Sequence, residues 1–117
     1  MSIAAAADLA GAYAARLADR LGDRLVRVSL FGSRARGEES PRSDYDLMVV
    51  LRQATGEDRD AVHGLATELE LDHNVDLSTK IVAETRFAEL RRSQLPFWRR
   101  FVRDERVLWP PTSSPSE

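Results

Sequence analysis

No cysteine occurs in the chain, which excludes a disulfide framework and any thiolate metal site. Long apolar runs are missing too, so nothing in the sequence is suited to crossing a bilayer. The alanine-rich stretch Ile3 to Ala7 has no basic leader and continues into a helical pattern, and it is not read as a signal peptide. Positive charge is not in excess: the formal net charge is −2 and the sequence pI is near 5.7. A protein that grips a phosphate backbone stably is expected to be basic, so stable nucleic-acid binding is not expected here. Lysine is nearly absent, Lys80 being the only one. The cation supply is arginine, gathered at Arg34 to Arg42 and Arg86 to Arg106. These absences describe a small protein of a reducing cytoplasm with no membrane part. With 117 residues, 43% of them hydrophobic, there is material for one modest core. A single domain is expected over residues 1–109, and the proline- and serine-rich end from Pro110 to Glu117 reads as a disordered tail.

The informative segment runs from Ser29-Leu30-Phe31-Gly32-Ser33-Arg34-Ala35-Arg36-Gly37 through Ser40-Pro41-Arg42-Ser43 to Asp44-Tyr45-Asp46 and an apolar run from Leu47 to Leu51. Asp44 and Asp46 open a strand, where alternate side chains share a face, so the two carboxylates can lean together onto a hard cation such as magnesium. Tyr45, Leu47 and Val49 take the opposite, core-facing side, while Met48 and Val50 continue the acid face inward. Upstream, Val26, Val28 and Leu30 alternate with Arg27 and Ser29 in a strand ending at Phe31. Gly32 lets the backbone turn there, and Ser33 is placed as the N-cap of a short helix. Backbone N–H groups at such a turn can hold phosphate, and Arg34 and Arg36 add positive charge beside it. By itself a Gly-Ser pair is an ordinary turn; the paired acids downstream change its meaning. A third acid is needed for a nucleoside triphosphate site, as metal ligand and as base for an incoming hydroxyl. Asp76 is the choice, on the polar face of a strand reading Asn74 to Thr79; Asp72 competes but sits nearer a helix end.

Around this segment the elements are legible from periodicity. Leu9, Tyr13, Leu17 and Leu21 form the stripe of a first helix stopping near Gly22, and Val62, Leu65, Ala66 and Leu69 that of a helix from about Asp58 to Leu71. Thr85 is placed as the cap of a short helix through Arg92, and Ser93 with Pro96 as the start of another. Phe97, Trp98, Phe101 and Val102 make an apolar stripe whose default meaning is core, and Val107 to Trp109 a short edge strand. His63 and His73 have no partner at metal spacing and read as surface or helix-end residues.

Gly-Ser, a spacer and Asp-x-Asp, together with the run Gly32 to Gly37 and the pair Ser43-Asp44, resemble the DNA polymerase β-like nucleotidyltransferase superfamily, in particular its minimal nucleotidyltransferase (MNT) branch, over about Leu9 to Trp109. The resemblance implies an α/β (α+β) fold with a small mixed sheet flanked by helices. It also implies magnesium on Asp44, Asp46 and Asp76, ATP as substrate, and Gly32 and Ser33 on the triphosphate. Stand-alone MNT proteins of this type are similar to antitoxins that silence a HEPN-domain toxin from an adjacent gene, in a hetero-oligomer, by binding it and attaching AMP to a tyrosine. A larger transferase acting on a drug or nucleic acid normally carries an extra domain to hold that substrate, whereas a protein acceptor brings its own surface. Two rivals stand beside this reading. One is a small-molecule, aminoglycoside-like nucleotidyltransferase; the other is a non-catalytic module that neutralises a toxin by occlusion alone.

Overall fold

The computed structural model describes residues 3–37 and 45–111. Asp44, the segment 40–43 and the greater part of the expected tail fall outside them. In chain order the elements are α1 (Ile3–Leu21), a short 3-10 turn (Gly22–Arg24), β1 (Leu25–Phe31), α2 (Gly32–Ala35), β2 (Tyr45–Leu51), α3 (Gly56–His73), β3 (Leu77–Ala83), α4 (Glu84–Arg92), α5 (Pro96–Asp104) and β4 (Arg106–Trp109). The four strands form one mixed sheet in the order β3-β2-β1-β4. β1 runs antiparallel to β2 and β4, and β2 runs parallel to β3. The C-terminal end of β1 and the N-terminal ends of the other three strands therefore meet at one end of the sheet.

Both faces of the sheet are covered. On one, the α1 stripe Tyr13, Leu17 and Leu21 and the α3 residues Val62, Ala66 and Leu69 pack on Val28, Leu30, Tyr45, Leu47, Val49 and Leu51. The buried Tyr13 hydroxyl ties the two helices together by donating to the Val62 carbonyl at 2.9 Å. The other face carries Met48 and Val50 under Phe31, Phe87, Trp98 and Phe101 of the α4/α5 side. These rings meet edge to face, Phe31 to Phe101 at 5.3 Å and Trp98 to Phe101 at 5.3 Å, the geometry that ring quadrupoles favour. The aromatic stripe of α5 is thus core, while Val102 is exposed.

Several sequence expectations shift by local chemistry. Val26 packs with the aromatic face and not with Val28 and Leu30, because the β1/β2 register is irregular between Leu25 and Arg27 and an extra residue flips the alternation. The middle helix starts earlier than Asp58, capped by Thr55, whose side chain accepts from the Asp58 N–H at 3.1 Å. It ends at Asn74, which adopts the left-handed conformation (φ 53°), so the third strand begins at Leu77 and not at Asn74. α4 starts at Glu84, with Ala83 and not Thr85 in the cap position. Ser93 closes α4 instead of opening α5, its hydroxyl donating to the Leu90 carbonyl at 2.7 Å. Pro96 takes the first turn of α5, where its missing N–H costs nothing.

Candidate active site

Because of the strand directions, four chain segments arrive at the same end of the sheet: the turn after β1, the opening of β2, the approach to β3 and the junction of α5 with β4. The described residues among those selected from the sequence lie on the first three. Phe31, the last residue of β1, pairs with Asp46 of β2, and Gly32 follows immediately. Gly32 has φ +77°, a conformation L side chains rarely adopt. A Cβ at this position would strike Asp46 Oδ2 closer than real Cβ atoms approach other heavy atoms, with Asp46 Cγ at 3.3 Å. Glycine is therefore required by its backbone, and any side chain there would also shift the carboxylate lodged against it.

Asp76 lies just ahead of β3 and not within it, with its side chain exposed. Its backbone is fixed from two sides. The Tyr45 N–H donates to the Asp76 carbonyl at 3.0 Å, and the adjoining Leu77 N–H donates to Glu70 Oε2 of α3 at 2.9 Å. Tyr45 is level with Leu77 and Asp46 with Ser78, so Asp46 on β2 and Asp76 just ahead of the neighbouring β3 are offset by about two residues. Their Cα atoms are then roughly 8 Å apart, a separation that two carboxylate side chains can close around one cation. Among the described residues no group of three metal-ligating side chains is assembled, and Asp44, the third acid of the expected set, lies outside them. What the described residues do show is a carboxylate given its place by a missing Cβ, beside a second acid on a pinned backbone. That donor set, all oxygen, fits a hard divalent cation.

The basic residues divide. Arg34 lays its guanidinium over the Tyr45 ring, 4.4 Å from the centroid, and Tyr45 belongs to the α1/α3 core, on the opposite face from Asp46. Arg36 turns to α5 and bonds Asp104 Oδ2 at 2.9 Å. α2 starts at Gly32, so Ser33 lies within its first turn and not at its cap. A helix of four residues has little dipole to offer, which leaves the turn's own N–H groups as its contribution to anion binding.

Residues not selected as site residues from the sequence, Arg100, Asp104, Glu105 and Lys80 among them, complete this end of the sheet. A cleft of about 220 Å³ opens between Phe31 and Gly32 on one side and Arg36, Phe97, Arg100, Phe101 and Asp104 on the other. Lys80, on the strand face shared with Ser78, reaches to 6.0 Å from the Phe97 ring centre. Asp104 also accepts from Arg103 at 3.0 Å, and the Arg103 bond, reinforced by Arg36, holds its carboxyl below the ordinary range. Next to it, Glu105 accepts from Arg27 Nε at 2.7 Å, Arg91 at 2.8 Å and the Ser29 hydroxyl, joining β1 to α4 at the start of β4. Burial is the largest single influence on Glu105 and works to raise its pKa; the Ser29, Arg91 and Arg27 hydrogen bonds together outweigh it and leave it below the ordinary value. The polar side of β1, which alternation presents as a solvent face, is in fact closed by this ion network.

No curated protein matches the chain. Solved structures of similar fold include a nucleotidyltransferase from Sulfolobus solfataricus, at 20% identity and TM-score 0.57 over 92% of this chain and 82% of that one. A toxin–antitoxin complex with AMP-PNP gives 22% identity and TM-score 0.56 over 86% and 73%. A tri-AMPylated Shewanella oneidensis HEPN toxin in complex with its MNT antitoxin gives 19% and 0.51 over 90% and 73%. At these identities the likeness is one of fold. The nucleotidyltransferase domain family, however, matches residues 14–108, which takes in the glycine bend, both described acids and the α5 cleft. With that match over most of its length, the chain belongs to the nucleotidyltransferase domain family, the enzyme class that its carboxylates and glycine bend fit.

Proposed function

We propose that this nucleotidyltransferase moves AMP from ATP onto a tyrosine hydroxyl of a HEPN-domain toxin encoded by an adjacent gene, and so serves in the cytoplasm as the antitoxin of the pair. The observation that carries the transfer chemistry is Asp46 seated against Gly32, one strand away from the pinned Asp76. The protein acceptor is supported by two similar structures that are toxin–antitoxin complexes, one with AMP-PNP and one with a tri-AMPylated toxin. It is supported too by composition, since a net charge of −2 does not suit a nucleic-acid substrate. No helix among the described residues is long and apolar enough to cross a membrane.

Asp44, Asp46 and Asp76 are the residues that would hold magnesium, whose charge, when bound, offsets that of the triphosphate. The Gly32–Ser33 turn receives phosphate oxygens on its N–H groups. Asp76 takes the proton of the acceptor hydroxyl. The freed oxygen bonds to the α-phosphorus while the bond from that phosphorus to the bridging oxygen breaks, and pyrophosphate leaves with the electron pair. Alignment and neutralisation of charge supply most of the rate in such transfers. Asp46→Asn should abolish transfer and leave the fold intact, because Asp46 is half-buried at the opening of β2 and asparagine keeps its size. The test is co-expression with the neighbouring gene product, then intact-mass measurement after incubation with ATP and magnesium. One or more AMP units on the partner supports the proposal. Modification of an aminoglycoside with none on any protein, or equal protection of cells by Asp46→Asn and wild type, would replace it with one of its two rivals.

A further inference from the structure

Across the functional end of the sheet the segments follow the strand order: Asp76 before β3, Asp46 on β2, Gly32 after β1, then Asp104 before β4 with the α5 wall. With the reacting phosphorus at Asp46 and Asp76 and the phosphate-holding turn at Gly32, as proposed above, a triphosphate laid along this order has its outer phosphates nearest α5. The cleft found there, about 220 Å³, is smaller than the ~300–1,000 Å³ of typical small-molecule sites and suits part of a ligand. Of its two arginines, Arg36 is bound to Asp104, and Asp104 is shared with Arg103. Arg100 is exposed and, among the described residues, has no ion-pair partner. In the cleft wall Arg100 is thus the guanidinium with no ion pair among the described residues, beside the Arg36–Asp104 pair.

We propose that Arg100 is a substrate-binding residue that holds the β- and γ-phosphates of the nucleotide, the pair released as pyrophosphate, with Asp104 as the residue that positions Arg36 beside it. This rests on the nucleotidyltransferase reading above and adds the α5 wall to its site. A guanidinium presents two parallel N–H donors to phosphate oxygens, a geometry that lysine lacks. The neighbouring Arg99 does not line this cleft; it shares with Pro96, Arg100 and Arg103 an adjoining depression, and serves as the control.

The experiment is calorimetric titration of the full chain with AMP-PNP and with AMP, each with magnesium, for wild type, Arg100→Ala, Arg100→Lys and Arg99→Ala. Arg100→Ala should weaken AMP-PNP binding by about tenfold, the low end for a charge-assisted hydrogen bond at a partly solvated site, and leave AMP binding unchanged. Arg100→Lys should fall between, and Arg99→Ala should match wild type. Unchanged AMP-PNP affinity in Arg100→Ala, or an equal loss for AMP, overturns the assignment. Failure of the wild type to bind AMP-PNP at all would instead overturn the nucleotidyltransferase reading on which it stands, and the two failures are distinguished by the wild-type titration alone.

Discussion

Replacing Gly32 by alanine tests the site at its most constrained point. Two costs arise, and they fall on different measurements. The backbone stands at φ +77°, where an L residue loses about 1–2 kcal/mol relative to glycine, because its Cβ crowds the following carbonyl. For a domain near 100 residues that lowers the melting temperature by roughly 5–15 °C. The second cost is the collision of the new Cβ with Asp46 Oδ2. A carboxylate tip can rotate, so this clash adds little to the loss of stability; it is relieved by moving the oxygen out of the place where it would meet a cation. A metal ligand displaced by about 1 Å costs on the order of a hundredfold in rate, so transfer should fall by at least that much while the protein stays folded. The assay pairs a thermal melt with the rate of AMP transfer. The double variant Gly32→Ala/Asp46→Ala separates the terms: with the carboxylate gone, only the backbone cost should remain in the melt. If Gly32→Ala transferred AMP at the wild-type rate, the contact would have no bearing on catalysis and the reasoning would fail.

Glu105 ties part of the fold's stability to pH. Its pKa lies below the ordinary 4.5 in the folded state, so the stabilisation is present above that value and is lost as pH falls through the lower, folded one. Glu105→Gln should cost about 1–3 kcal/mol in urea unfolding at neutral pH, since three donors lose a charged acceptor. The gap between variant and wild type should narrow as pH falls below 4.5 and through the lower, folded value; a gap of constant size across pH would mean that the charge is not what stabilises. Tyr13→Phe removes the hydroxyl that joins α1 to α3, and should cost about 1 kcal/mol with no effect on AMP-PNP affinity, measured by the same unfolding curves and by calorimetry. A wild-type unfolding midpoint in Tyr13→Phe would show that the helices do not depend on that bond.

Periodicity and local chemistry made most of the elements readable. The stripe Leu9, Tyr13, Leu17, Leu21 identifies α1, the apolar run after Asp46 identifies β2, and Pro96 marks the start of α5, because each rests on residues a few positions apart. Gly32 and Asp46 were likewise found from their spacing. What spacing could not give was that they touch, or that Asp76 stands ahead of its strand on a backbone held by Tyr45 and by the Leu77 bond to Glu70. The flip of Val26 was hidden because alternation assumes an unbroken register.

The chain's order alone points to the glycine bend, the candidate acids and the amphipathic stripes, since turn propensity, charge and hydrophobic period are properties of neighbours. Only the sheet's strand order and directions decide that Arg36 meets Asp104, that Arg27 and Ser29 share Glu105, and that Arg100 faces the cleft beside Gly32. These partners are far apart along the chain, and an unpaired charge is indistinguishable from a solvated one until packing has brought, or failed to bring, its counterion.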